Sequence, residues 1–287
     1  MSLRVAGLGH RYALSEVLTD IDLDLKAGES VALVGPSGCG KTTLLHLIAG
    51  LERPSAGRID NGFANPAYVF QQPRLLPWKT ALDNIALGLK ARGLPRVERE
   101  RRARRFGLRL GLQDDDLDKF PHQLSGGMQS RVALARAFVL EPDLLLLDEP
   151  FSALDVGLKT ELYALLLEEI AAREASLLMI THDLMEAVRL ADRILMMATA
   201  PGRLVGEFRL GLAKAQRDDG WVYRTTAEFM QAAAVRAGFG LPPSPASGRE
   251  AGGGSHGVPP AHAADAVIEA AFRRESPIAK VHACGRH

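Results

Sequence analysis

The stretch Gly35-Pro36-Ser37-Gly38-Cys39-Gly40-Lys41-Thr42 follows the apolar run Ser30-Val31-Ala32-Leu33-Val34 and precedes Thr43-Leu44-Leu45-His46-Leu47-Ile48-Ala49-Gly50. That order predicts a strand, a glycine-rich loop and a buried helix. Gly35, Gly38 and Gly40 let successive backbone N–H groups turn inward, and the unpaired N–H groups of the first helical turn add partial positive charge. The product is a concave anion site. At this spacing Lys41 reaches the outer two phosphates of a nucleotide, and the Thr42 hydroxyl is a ligand for Mg²⁺. A chance glycine-rich turn would not combine GxxxxGK[ST] with both flanking elements, so the chain is expected to bind a nucleoside triphosphate.

Composition narrows what it does with the nucleotide. The 287 residues, 47% hydrophobic, furnish one large or two modest globular domains. Lys and Arg number 35 against 34 Asp and Glu, a net charge of +1 that gives no support for a nucleic-acid binder. Only Cys39 and Cys284 occur, which fits a reducing compartment and no disulfide framework. Met1 to His10 lacks the basic and apolar regions of a signal peptide, and no run reaches the roughly 18 to 20 apolar residues of a membrane span. A cytosolic protein whose membrane role comes through a partner is the expectation.

Along the chain, Leu3 to Leu8 and Val17 to Leu25 predict antiparallel strands. Tyr12 between them is either core or an aromatic platform. Arg58 to Asp60 and Ala67 to Phe70 predict short strands around a loop at Asn61 to Pro66. Arg74-Leu75-Leu76-Pro77-Trp78, held between prolines, reads as an exposed apolar loop. Leu82, Ile85, Ala86 and Leu89 fall at helical spacing. Residues 96 to 105 hold six arginines with Glu98 and Glu100, a solvated helix face or a contact for lipid headgroups or a partner. Leu144-Leu145-Leu146-Leu147-Asp148-Glu149 predicts a parallel strand buried on both faces with acids at its carboxyl end. A helix over 157–174, the strand Ser176 to Ile180, a helix over 184–191 and the strand Ile194 to Met197 continue the βα alternation of a doubly wound sheet. Glu228 to Ala237 reads as a helix, Pro242 to Pro260 as a flexible linker and Ala263 to Arg274 as a short amphipathic piece.

At the strand ends, Asp148 is placed to hold Mg²⁺ through its water shell, and Glu149 to polarise the water attacking a γ-phosphate. His182 is either structural or a γ-phosphate contact. Gln71 is either solvated or an amide offered to Mg²⁺ and the attacking water.

The set Leu124-Ser125-Gly126-Gly127-Met128-Gln129, Leu147-Asp148-Glu149-Pro150, Ser152-Ala153-Leu154-Asp155 and Thr181-His182-Asp183, in this order after the glycine-rich loop, closely resembles the ATP-binding subunits of ABC transporters over residues 3 to 208. The resemblance implies an ATPase with an α/β fold: a P-loop NTPase core with a mostly parallel sheet, an N-terminal antiparallel β portion and an inserted α-helical subdomain at about 80–140. A helical extension at 209–241 and a flexible tail at 242–287 follow. It implies that Tyr12 stacks on adenine and that residues Gly35 to Thr43 cradle the phosphates. Ser125, Gly126 and Gly127 are implied to cap the γ-phosphate of ATP bound to a second subunit in a head-to-tail dimer. Asp155 is implied at the dimer interface, Gln71 as the coupling residue and Mg²⁺ ligand, and His182 at the γ-phosphate.

Val69-Phe70-Gln71-Gln72-Pro73-Arg74-Leu75-Leu76-Pro77-Trp78 is similar to the subfamily serving nitrate, sulfonate and taurine importers, with polyamine and other anion importers close to it. On that reading Leu75, Leu76 and Trp78 meet a coupling helix of transmembrane permease subunits, a periplasmic or extracellular solute-binding protein completes the system, and the chain is peripheral on the cytoplasmic face of the membrane. Ser130 departs from the family's longer polar residue, and the interval from Gly57 to Tyr68 is short. A soluble ABC ATPase of DNA repair or translation is the rival reading; it calls for a coiled-coil insertion or a second nucleotide domain, and neither is visible. A simple P-loop kinase has no use for Leu124 to Gly127.

Overall fold

A computed structural model describes residues 1–152, 154–232, 235–236, 239 and 269–270. β1 (Ser2–Tyr12) and β2 (Ser15–Lys26) alternate buried and exposed side chains and pair antiparallel, Leu3 opposite Leu25 and Val5 opposite Leu23. The other edge of β1 takes β4 (Ala56–Asn61), completing a three-stranded sheet.

The larger sheet is built on β3 (Ser30–Val34), in the order β10-β9-β8-β3-β7-β6-β5. β5 (Pro66–Val69), β6 (Leu144–Asp148), β7 (Ser176–Ile180), β3 and β8 (Arg193–Ala198) run parallel. Every residue of β3, β6 and β7 is buried, because both faces are covered. Along β6, Leu145 and Leu147 enter one core and Leu144 and Leu146 the other. The second core lies between the two sheets and includes Leu44, Leu45, Leu47 and Ile48 of α1 (Lys41–Ile48). The two predicted short strands are therefore extended, but β4 and β5 belong to different sheets rather than flanking one hairpin.

The expected helical insertion is present as α2 (Ala81–Ile85), α3 (Leu87–Ala91), α4 (Arg96–Arg109), α5 (Asp114–Leu117) and α6 (Gly126–Phe138). Five of the six arginines at 96–105 meet acids: Arg96 with Glu100, Arg101 and Arg102 with Glu98, Arg104 with Asp114 and Arg105 with Glu141. Little unpaired charge is left for an anionic surface, which favours the solvated face. α7 (Val156–Arg173) and α8 (Leu184–Leu190) stand where helices were expected.

Beyond β8 the sequence reading needs correction. β9 (Arg203–Arg209) is an additional strand, antiparallel to β8, and Glu269–Ala270 (β10) pairs with it. The helix expected from Glu228 is α9 (Asp219–Gln231), which starts earlier because the Asp218 side chain accepts from the Trp221 N–H at 2.6 Å. Val222, Thr225, Thr226 and Phe229 form its buried stripe, and Phe229 meets Phe208 edge-on at 4.6 Å. The buried Arg217 guanidinium donates to the carbonyls of Val188, Ala191 and Leu212, tying this segment to the end of α8. The linker from Pro242 and the amphipathic piece at 263–274 lie outside the described residues, apart from Glu269–Ala270, which are extended rather than helical.

All five parallel strands deliver their carboxyl ends to one edge. The loops after β3, β5, β6 and β7 carry Gly35 to Gly40, Gln71, Glu149 and His182, respectively, and Asp148 is the last residue of β6.

Candidate active site

The glycine-rich loop is held from both sides. A Cβ on Gly35 would lie 2.5 Å from the Met197 carbonyl oxygen, and Gly40, at φ +88°, would place one 2.7 Å from Leu18 Cδ2. Neither position tolerates another residue. Cys39 is buried against this loop while Ser37 and Gly38 form its exposed tip. The Lys41 ammonium donates to the carbonyls of Gly35 and Pro36, both at 2.9 Å, so it spans the mouth of the loop as a nearly buried cation.

Opposite it lies a carboxylate that the fold leaves poorly solvated. Asp148 is 3% exposed, and burial raises its carboxyl above the usual range. It accepts from the Thr42 hydroxyl at 3.1 Å and from the Tyr68 hydroxyl at 3.4 Å. Burial holds the Tyr68 proton on its oxygen, which keeps that side chain a donor. Tyr68 was not picked out in the sequence; one aromatic in a four-residue strand carries no signal until β5 is seen beside β6. The Thr42 hydroxyl, a buried carboxylate short of positive charge and the Gln71 amide oxygen are hard donors that suit Mg²⁺. Thr42, Asp148 and Gln71 would hold it.

Glu149 is where the loops converge. Its Oε2 takes the Gln71 amide N–H at 3.2 Å and meets His182 Nδ1 at 3.0 Å. Glu149 has φ +45°, an uncommon conformation for a residue with a side chain, and its own N–H donates to the Ile180 carbonyl of β7 at 3.0 Å. Three residues expected from sequence to act together, from the ends of β5, β6 and β7, thus share one carboxylate oxygen.

Tyr12 is 47% exposed, so it is no core residue. Its hydroxyl donates to Glu52, which raises the phenol's pKa and lowers that of the Glu52 carboxyl. Glu52 also meets His46 Nδ1 at 3.3 Å, and His10 sits edge-on against the Tyr12 ring at 4.7 Å. Thr43 lies within reach of the same phenol. The ring is braced by His10 and Glu52 while about half of the residue stays open to solvent. Were the Tyr12 ring to stack on a nucleotide base, an interaction worth about 1–3 kcal/mol, Tyr12→Ala would raise the KM for ATP about tenfold with little change in kcat, as steady-state kinetics would read.

Ser125, Gly126 and Gly127 stand apart from this group. Ser125 caps α6, its hydroxyl accepting from the Met128 N–H at 3.2 Å, and both Ser125 and Gly126 are exposed. Ser130 turns inward and donates to the Gly126 carbonyl at 3.1 Å. Asp155 caps α7 by accepting from the Leu158 N–H at 2.9 Å. A Cβ on Gly127 would approach Leu158 Cδ2 at 3.1 Å, so the two caps lie side by side.

The loop after Gln71 differs from expectation. Leu75 and Leu76 are only half-exposed: Leu75 packs against the core, and buried Asn84 brackets Leu76, its Oδ1 accepting from the Leu76 N–H at 2.8 Å and its Nδ2 donating to the Leu76 carbonyl at 3.2 Å. Trp78 alone of the three is open, at 70%. Arg136 of α6 donates to the carbonyls of Pro73 and Arg74, linking this loop to the helix that Ser125 caps.

Residues 18–152 match the family described as ABC transporter. The aliphatic sulfonates import ATP-binding protein SsuB of Corynebacterium glutamicum is 45% identical over 193 residues, 67% of this chain and 79% of that protein. This chain belongs to the ABC transporter ATP-binding family. The cassette is also 41% identical over 221 residues to the taurine import ATP-binding protein TauB of Pseudomonas aeruginosa, covering 75% of this chain and 82% of that one. Among solved structures, the dimeric ATP-binding cassette MJ0796 bound to ADP and Pi in a post-hydrolysis state superposes with a TM-score of 0.62 at 30% identity, over 67% of this cassette and 93% of that chain. Among the described residues no helix is long and apolar enough to cross a membrane.

Proposed function

We propose that this cassette is the energy-coupling ATPase of an importer for a small anion of the sulfonate, taurine or nitrate type. One observation carries the chemistry: a single oxygen of Glu149 gathers Gln71 and His182 from two other strand ends. Glu149 orients and deprotonates the attacking water, His182 contacts the γ-phosphate, and Gln71 reports the state of the site to the loop ending at Trp78. Lys41 exchanges its two carbonyl partners for phosphate oxygens when ATP binds, and Tyr12 takes the base. Thr42, Asp148 and Gln71 would hold Mg²⁺, which would offset phosphate charge.

The sulfonate and taurine relatives support the cargo class, and the dimeric MJ0796 cassette supports assembly in pairs. Ser125, Gly126 and Gly127 present donors outward from the start of α6, toward ATP held by the Gly35 to Thr43 loop of a second copy; Asp155 lies in the same interface. ATP closes the pair, hydrolysis reopens it, and the difference in ATP affinity between the two states drives the permease. The soluble repair or translation ATPase is the weaker reading, since the sulfonate and taurine relatives, at 45% and 41% identity, are import proteins.

The cassette sits at the cytoplasmic face of the membrane through its permease partners, with a solute-binding protein delivering cargo. Exposed Trp78 is the proposed contact. In the reconstituted complex, sulfonate- or taurine-loaded binding protein should stimulate ATP turnover, and Trp78→Glu should reduce that stimulation about tenfold, the scale of one buried aromatic anchor. Tight binding of the purified chain to DNA or ribosomes at physiological salt, with no permease co-purifying, would overturn the reading.

A further inference from the structure

The loop that carries His182 rests on a buried acid that the proposed chemistry does not use. Glu186, in the first turn of α8, is 4% exposed. One of its carboxylate oxygens accepts from the Thr181 hydroxyl, and that hydroxyl oxygen accepts in turn from the Asp183 N–H at 3.0 Å. Its other oxygen, Oε1, is buried without a hydrogen-bond partner. The Tyr163 hydroxyl of α7 lies close enough to bias its charge, yet closes no bond of regular geometry.

Tyr163 leads back to the reacting group. It is 8% exposed and packs edge-on against Phe151 at 5.1 Å and 89°. Phe151 is fully buried two residues beyond Glu149. On the open side of the site Glu149 meets His182 directly at 3.0 Å. On the buried side a second route joins the same two residues: Phe151, Tyr163, Glu186 and Thr181.

We propose that Glu186 is a positioning residue for hydrolysis, seated beneath the His182 loop so that Thr181 on one side and Tyr163 on the other hold that loop and the Glu149 to Phe151 segment in one arrangement. The inference rests on the assignment of Glu149 and His182 to hydrolysis. A buried carboxylate with an unpartnered oxygen is unfavourable when ionised, and burial pushes this one up to about 7. Asp183 from its own loop raises it further, while the Thr181 hydroxyl, Lys159 and Tyr163 oppose the rise. When protonated, Oε1 donates to the Tyr163 oxygen; when ionised, it calls for the Tyr163 proton instead. The charge of Glu186 therefore sets how Tyr163 stands against Phe151.

The test compares full-length wild type, Glu186→Gln, Glu186→Ala and His182→Ala in ATP turnover, ATP binding and thermal melting. Gln imitates the protonated acid and cannot titrate. The ratio of Glu186→Gln to wild-type kcat is expected near one at about pH 6, departing by about threefold or more by about pH 8.5. Glu186→Ala is expected to lower kcat about tenfold while the KM for ATP stays within about twofold, the split of a residue acting on the reacting geometry rather than on binding. A constant Gln to wild-type ratio over that range overturns the proposal, and so does wild-type kcat in Glu186→Ala. Should the alanine variant fail to melt cooperatively, the pH ratio of the glutamine variant decides alone. Full turnover in His182→Ala would locate the failure in the assignment of His182 itself; loss there with wild-type behaviour in both Glu186 variants would locate it in Glu186.

Discussion

Glu149→Gln is expected to bind ATP as tightly as the parent cassette and to hydrolyse it on the order of a hundredfold to ten-thousandfold more slowly, the range for losing a general base. Glutamine keeps the length and volume of the side chain, and its carbonyl can still accept from the Gln71 amide. It cannot accept a proton from water at neutral pH. The groups proposed to bind nucleotide, Lys41, Thr42 and Tyr12, make no hydrogen bond to Glu149, so binding should persist. The left-handed backbone at φ +45° is no harder for Gln than for Glu, which keeps folding out of the comparison. A fluorescent-nucleotide titration beside steady-state phosphate release separates the two effects. Parent-like turnover would remove Glu149 from the role of base and leave its contacts with Gln71 and His182 as structural links.

The residues in that prediction were visible in the sequence because their signals are local. Val31 to Val34 and Leu144 to Leu147 are unbroken apolar runs, which only strands covered on both faces can use, and each ends in residues with distinctive chemistry. Non-local pairing was harder to read. β4 and β5 are short strands whose sequences do not say which neighbour they take, and they join different sheets. β9 has half-buried residues and Gly206 in its middle, so its alternation is weak. The start of α9 hides behind Asp218-Asp219-Gly220, which resembles a turn until the Asp218 carboxylate is seen on the Trp221 N–H. Leu75 and Leu76 look exposed between prolines because what holds them inward lies outside the loop, the core against which Leu75 packs and the Asn84 side chain that brackets Leu76. Glu52 and Glu186 act through Tyr12 and Tyr163, and such partners become evident only when separate elements are packed together.

Ser125→Arg is expected to lower turnover by about a hundredfold or more while leaving ATP binding at Lys41 intact. Ser125 is exposed at the cap of α6, so the larger side chain fits the isolated chain. Loss of the cap costs about 1 kcal/mol and leaves the fold standing. In a head-to-tail pair the same side chain occupies the space where the second copy's nucleotide must approach. Attraction between one exposed guanidinium and phosphate is worth about 1 kcal/mol in water, too little to offset overlap of packed atoms. Mixing this variant with Lys41→Ala makes the test decisive. Each variant alone damages both shared sites, yet a mixed pair places the intact Lys41 loop of one chain against the intact Ser125 of the other. Random pairing at equal amounts then restores about a quarter of the sites, which single-turnover phosphate release can count. Were each site built within one chain, the mixture would stay as inactive as its parts, and the outward-facing donors of Ser125 to Gly127 would need another explanation.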